Sequence, residues 1–107
     1  MTVSGLLEHG FREVVLSDGD REIDGCYMGD LLSWVMGRAQ ADNAWITIMS
    51  NLNVVAVASL ADTACVILTE GVELPDDVRA AAEMRDVNVL STDLPSYDAA
   101  VLLSTLI

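Results

Sequence analysis

The distribution of apolar and polar residues divides the chain into short strands and helices. From residue 44 onward, apolar runs of strand length alternate with polar loops and helix-forming segments. Asn53 is a suitable N-cap for a helix over Val54–Ala61, and Pro75 with two following aspartates begins the next helix. Ser96 is predicted to cap a closing helix that runs through Leu103. Strands and helices at this spacing indicate right-handed βαβ crossovers, and the strands predicted here are Ala44–Met49, Ala64–Leu68 and Val87–Leu90.

The first forty residues predict a short helix, two strands and an apolar helix. Thr2 is placed to cap the first helix and Gly10 to end it in a left-handed conformation. The strands are Phe11–Leu16 and Ile23–Met28. The second helix, Leu31–Met36 with Asp30 as its cap, is apolar almost all round, which is typical of a helix buried on two sides. The overall expectation is an α/β fold in which helices flank a mainly parallel sheet, formed as one domain over residues 1–107.

Composition adds a surface property and excludes several partners. The hydrophobic share is 52% and the mean hydropathy is +0.43, so part of the apolar surface is expected to be covered by a partner. The net charge of −12 disfavours nucleic acid and anionic membranes. No apolar run reaches the length of a membrane span and the first residues do not resemble a signal peptide, so the expected location is the cytoplasm.

The residues that catalysis would need are missing. The chain has no lysine, which excludes a Schiff base and a Walker A loop, and His9 is its single histidine. No nucleophile elbow or dinucleotide-binding glycine motif occurs. Carboxylates alternate from Asp18, but Ile23 and Gly29 occupy the glycine and glutamate positions of a calcium loop. Cys26 and Cys65 lie in apolar segments and are interpreted as buried reduced thiols. We therefore predict no enzyme activity, no metal and no cofactor.

Polar loops follow the three predicted parallel strands. Because the carboxyl ends of parallel strands meet at one edge of a sheet, helix N-termini and loop side chains there are the expected place for a ligand. Small polar residues are also ordinary caps and turn formers, so a structural role is the alternative. The residues predicted to bind a ligand are Asn51, Asn53, Thr69, Gly71, Ser91 and Thr92.

A family resemblance refines this expectation. The segment from Asp20 and Arg21 to Gly25, followed by Tyr27–Ser33, resembles the signature of the DRTGG domain, although Asp24 and Cys26 replace the family's usual threonine and second glycine. Further likeness occurs at the segments 45–48, 53–60 and 67–71. The resemblance implies a fold similar to the N-terminal domain of HPr kinase/phosphorylase. It also implies a non-catalytic regulatory module, found beside CBS domains in regulated pyrophosphatases, so a partner enzyme is expected.

Two functional hypotheses follow, and a third, an uncharacterised enzyme, has less support. In the first, the chain is a regulatory module that binds a small anionic metabolite or nucleotide, with Arg21 or a partner subunit supplying positive charge. In the second, it binds nothing small and is a homodimerisation or docking module. The interface would use Leu31, Trp34 and Val35 of the apolar helix. If that helix is instead fully interior, Trp34 is a core residue.

Overall fold

The computed structural model describes residues 1–107 and contains five strands in one sheet with helices on both faces. A 3₁₀ helix, Ser4–His9, precedes the first strand. The strands are β1 Arg12–Val15, β2 Cys26–Met28, β3 Ala44–Thr47, β4 Cys65–Leu68 and β5 Val89–Ser91. The α-helices are α1 Leu32–Arg38, α2 Leu52–Ala61, α3 Asp76–Met84 and α4 Ser96–Ser104.

The strands lie in the order β1-β5-β4-β3-β2, and every neighbouring pair is parallel except β1 with β5. The predicted α/β fold with a mainly parallel sheet is thus confirmed. Strands β3 and β4 are buried at every position because helices cover both of their faces. None of the helices has the length and apolar character needed to cross a membrane.

The core has two layers, one on each face of the sheet. Alternate side chains of a strand point to opposite faces, so Trp45 packs beneath α1, α2 and α3, whereas Ile46 packs beneath the 3₁₀ helix and α4. Val35 of α1 and Val54 of α2 join the first layer, and Leu103 of α4 joins the second.

The structure corrects several predicted helix starts and strand bounds: β3 ends at Thr47 and not at Met49, and β5 is Val89–Ser91 and not Val87–Leu90. The second predicted strand begins at Cys26 and not at Ile23, because Gly25 adopts a left-handed conformation with φ of 84° that interrupts the extended backbone. Leu31 and not Asp30 occupies the N-cap of α1. The Asp30 carboxylate instead accepts hydrogen bonds from the Thr47 hydroxyl at 2.8 Å and the Ile48 amide at 3.0 Å.

Three other caps are displaced by one or two residues, and one of them is the cap of α4, which is Pro95 and not Ser96. Asn51 is the N-cap of α2, which places Asn53 inside the first turn of the helix. The first helix is a 3₁₀ helix, whose N-cap is Val3; the Thr2 hydroxyl nevertheless accepts the Gly5 amide at 3.1 Å. Gly10 has the predicted left-handed conformation, with φ of 94°.

Candidate functional site

The loops after β3, β4 and β5 meet at the carboxyl edge of the parallel strands, as topology requires. Clefts open at this edge, on the two sides of the segment that leads into α3. The structure distributes the six residues predicted to bind a ligand among different surroundings. Two of them lie in one cleft, two border another, Thr92 borders a third, and Thr69 is fully buried.

Asn51 and Asn53 lie together in a cleft of about 510 Å³ between the N-termini of α2 and α3, called here the α2–α3 cleft. Both side chains are exposed, and the Asn51 side chain makes no capping hydrogen bond to its own helix. Amide groups that are free to donate and accept are therefore presented next to two helix N-termini. The lining residues are Ser50, Asn51, Leu52, Asn53, Pro75, Asp77 and Val78.

The Thr69 and Thr92 side chains are buried where the loops after β4 and β5 bond to each other, and Thr92 also borders a third cleft of about 380 Å³. The Thr69 and Ser96 hydroxyls are 2.6 Å apart, and Thr69 is fully buried. The Gly71 amide donates to the Thr92 carbonyl at 3.1 Å, and the Thr92 hydroxyl accepts the Leu94 amide at 3.2 Å. These hydrogen bonds extend the β4–β5 pairing into the loops, and both threonine side chains take part in holding the loops together.

Gly71 and Ser91 border a second cleft of about 370 Å³ beside β1 and α3, called here the β1–α3 cleft. Ser91 is itself mostly buried, so Gly71 is the more accessible of the two. The charged residues of this cleft were missed from sequence because β1 pairs antiparallel with β5, which places Arg12 opposite Ser91. The charged lining residues are Arg12, Glu13, Glu73, Asp76, Arg79 and Asp93.

An ion pair joins the wall of this cleft to the loop after β5. The Arg12 guanidinium donates to the Asp93 carboxylate at 2.9 Å. The hydrogen bond and the charge of Arg12 lower the pKa of Asp93 below its usual value. The same contact raises the pKa of Arg12, to which the nearby charge of Glu73 also contributes. Both side chains are exposed to solvent, so the pair orients these groups more than it stabilises the fold.

The motif residues Asp20, Arg21 and Gly25 lie away from these clefts. The Arg21 guanidinium is bonded to the carboxylates of Asp42 and Asp62, at 2.8 and 2.9 Å, which precede β3 and β4 at the amino edge. Arg21 is thus committed to a structural cluster and cannot supply positive charge at the strand-end loops. A side chain at Gly25 would come within 2.9 Å of the Asn43 amide nitrogen, so glycine is required there.

Helix α1 divides its apolar residues between the core and the surface. Val35 is fully buried, so its predicted role in an interface is corrected: its side chain packs inside its own chain. Leu31 and Trp34 remain 57% and 52% exposed. The Arg38 guanidinium lies 3.7 Å from the centre of the Trp34 ring and covers part of it by a cation–π contact.

The two cysteines differ in environment. Cys65 is fully buried at the start of β4, and burial raises the pKa of its thiol to about 12. Cys26 is exposed, which corrects the prediction that both thiols are buried, since β2 is an edge strand with no neighbour on its outer side. Neither forms a disulfide, and no three metal-binding side chains converge in the structure.

Comparison with protein families identifies the family to which the chain belongs. Residues 30–106 match the model of the DRTGG domain, so the chain belongs to the DRTGG domain family. The resemblance stated from sequence is confirmed, but the match begins after Gly25. The motif from Asp20 to Gly25 therefore lies outside the matched region, and the later segments carry the family relationship.

Comparison with individual proteins adds one informative structure. The chain resembles the CBS and DRTGG domains of the regulatory region of Clostridium perfringens pyrophosphatase, complexed with the activator diadenosine tetraphosphate. The TM-score is 0.68 at 13% identity, over 92% of this chain and 44% of that one. The chain thus spans less than half the length of that protein, and the likeness shows the fold alone. A search of curated proteins finds no match.

Proposed function

We propose that this chain is a non-catalytic regulatory module that binds a nucleotide in the α2–α3 cleft. The observation that carries the proposal is the cleft itself, where the exposed Asn51 and Asn53 side chains lie at the carboxyl edge of the sheet between two helix starts. Membership of the DRTGG family supports a regulatory role. The similar pyrophosphatase region responds to a nucleotide activator, which makes nucleotides the first ligands to test.

The chemistry of the cleft suits a nucleobase and its ribose. An asparagine amide can donate to one edge atom of adenine and accept from the neighbouring one, so Asn51 or Asn53 can hold the base in a single orientation. Asp77 offers carboxylate oxygens that accept hydrogen bonds from ribose hydroxyls. The first-turn amides of α2 can meet a phosphate. Because no guanidinium lines this cleft, the base and ribose supply the specificity.

A titration followed by amide chemical shifts tests this proposal. Diadenosine tetraphosphate and AMP are added to the labelled chain, and saturable shifts are expected at residues 50–53 and 75–78. Asn53→Ala is expected to weaken binding about tenfold, a loss typical of a hydrogen bond to a ligand. Gln40→Ala, an amide removed at the opposite edge of the sheet, is the control and should bind normally. Shifts confined to the amino edge, or no saturable shifts with either nucleotide, would exclude the site.

The same proposal includes the statement that the chain does not catalyse a reaction on the nucleotide it binds. The reasons are the lack of lysine, the single histidine and the burial that keeps Cys65 protonated. Two unpaired thiols, one of them exposed, suit a reducing compartment such as the cytoplasm. Nucleotides incubated with the pure chain are expected to remain intact. Hydrolysis that co-purifies with the chain and is abolished by a single substitution would contradict this part.

A second function, homodimerisation through α1, is favoured by one observation. Leu31 and Trp34 stay exposed on a folded chain although large apolar side chains usually cover each other. We expect sedimentation at micromolar concentration to show a dimer that Trp34→Glu dissociates. Tyr97→Glu on α4 is the matched control, because Tyr97 is also an exposed aromatic residue. A monomer at all concentrations would exclude this function and leave the nucleotide proposal intact.

A further inference from the structure

The β1–α3 cleft has an uneven balance of charge that the nucleotide proposal does not use. Two guanidiniums, from Arg12 and Arg79, face four carboxylates in its lining. The four ion pairs of the chain use the terminal amine, Arg12 and Arg21, so the Arg79 guanidinium has no carboxylate partner within bonding distance. Arg12 is already paired with Asp93. One free cation and three free carboxylates therefore remain in the cleft.

The free groups come from three elements that enclose the same space. Arg79 and Asp76 lie on α3, Glu73 lies in the loop after β4, and Glu13 lies on β1. The cleft also contains Val14, Val72 and Leu74, which offer an apolar lining between the charges. Its volume of about 370 Å³ suits a small metabolite.

These charges exclude the two simplest ligand classes. A phosphate would meet one unpaired guanidinium and three carboxylates, so repulsion would exceed attraction. A plain diamine would be attracted by the carboxylates but repelled by Arg79, whose own charge would stay unmatched. A molecule with one anionic and two cationic groups pairs with Arg79 and with two of the three free carboxylates. The field of a chain with a net charge of −12 also favours a ligand of net positive charge.

We propose that the β1–α3 cleft binds a basic α-amino acid or a close analogue, with the ligand carboxylate on Arg79 and its cationic groups on Glu13, Glu73 and Asp76. The carboxylate of the ligand meets the planar guanidinium in a two-point contact. The apolar residues of the cleft cover the methylene chain between the charges. This site is separate from the α2–α3 cleft and does not depend on the proposed nucleotide function.

The test uses the whole chain and four probes: L-arginine, acetate, putrescine and inorganic phosphate. L-Arginine is expected to give saturable amide shifts at residues 12–14 and 72–79, and to bind at least about tenfold more tightly than acetate or putrescine. Arg79→Gln and Glu73→Gln should each weaken L-arginine binding about tenfold, which corresponds to one lost ion pair in the cleft. The matched controls are Arg85→Gln and Glu83→Gln, because these residues lie outside the cleft, at or near the end of α3.

Each other outcome overturns the proposal. Equal binding of putrescine that survives Arg79→Gln would mean a nonspecific attraction of cations to an acidic surface. Tighter binding of phosphate than of L-arginine would make the cleft an anion site. No saturable shift with any probe would mean that the cleft binds no such ligand. Asn53→Ala should leave L-arginine binding unchanged, so failure here is distinguishable from failure of the nucleotide proposal.

Discussion

The two edges of the parallel sheet use similar polar residues in opposite ways. At the amino edge, Arg21 joins Asp42 to Asp62, and the buried Asn88 bonds the β1–β2 loop to the residue before β4. At the carboxyl edge, Asn51 and Asn53 are exposed in a cleft. The amino edge is thus held by its own hydrogen bonds, whereas the carboxyl edge leaves Asn51 and Asn53 exposed beside the paired loops after β4 and β5.

This difference between the two edges shows that residue type alone does not decide whether a polar side chain has a structural role. Asn88 and Asn51 are the same amino acid in loops of similar composition. Asn88 is 3% exposed, and its amide accepts from Ser17 and Asp18 and donates to two carbonyls. What distinguishes them is whether a neighbouring loop lies within bonding distance, which is a property of the fold.

The strongest test of the comparison is Asn88→Ala. The substitution removes four hydrogen bonds and leaves buried amides and carbonyls of two loops without partners, so we expect a loss of about 3 kcal/mol in the free energy of unfolding. Urea denaturation measures the change. A loss below about 1 kcal/mol would mean that water replaces the side chain, and that the amino edge is not held as described.

Cys65, the first residue of β4, allows the burial of the amino edge to be tested at alkaline pH. Burial raises the pKa of the Cys65 thiol to about 12 in the folded chain. The contribution of this thiol to the free energy of unfolding is therefore complete below its unfolded-state pKa, and it is lost as pH rises toward the folded-state value. We expect the difference in stability between the native chain and Cys65→Ala to shrink above pH 9 by up to about 1.4 kcal/mol per pH unit. A difference independent of pH between 8 and 11 would contradict the burial of this thiol.

A substitution at Thr63, close to Cys65, is expected to raise the free energy of unfolding instead of lowering it. The Thr63 hydroxyl is buried and has no hydrogen-bond partner. Thr63→Val keeps the shape and removes the unpaired group, so a gain of about 1 kcal/mol in unfolding free energy is expected. Thermal denaturation measures it. If Thr63→Val destabilises the chain instead, the hydroxyl must bond to a water molecule in solution.

Arg21→Met is expected to have a smaller effect. It removes the ion pairs with Asp42 and Asp62 but retains much of the apolar stem, and partial exposure screens the charges, so the loss should be about 1 kcal/mol and should decrease in salt. Arg12→Met is the matched control at the carboxyl edge, where both partners are more exposed and no measurable loss is expected. Equal losses for the two variants would remove the distinction between the edges.

Little effect on stability is also expected from a substitution in the α2–α3 cleft. Asn53 lies exposed in the first turn of α2, so Asn53→Ala should change the unfolding free energy by no more than about 0.5 kcal/mol. Urea denaturation measures this change alongside the nucleotide titration. A large loss would show that Asn53 is structural, and its effect on binding would then have another cause.

Local pattern predicted most of the fold. Continuous apolar runs identified β3 and β4, and Gly10 and Pro75 marked a helix end and a helix start close to where the structure has them. Helix caps were less accurate because four of the five helices begin after an apolar N-cap residue, which local capping preferences do not predict. Asp30 was predicted to cap α1, but Thr47 and Ile48 hold its carboxylate, and these residues are close to it only in the folded chain.

For the candidate site, the sequence by itself determined the edge of the sheet and the kinds of residue found there, because strand ends and helix starts follow from local pattern. Only the tertiary structure decided which of those residues are free. Pairing between the loops after β4 and β5 buries Thr69 and Thr92, and the antiparallel β1 brings Arg12 next to Asp93. Such contacts join residues up to 81 positions apart. They depend on strand order and packing, which local preferences do not specify.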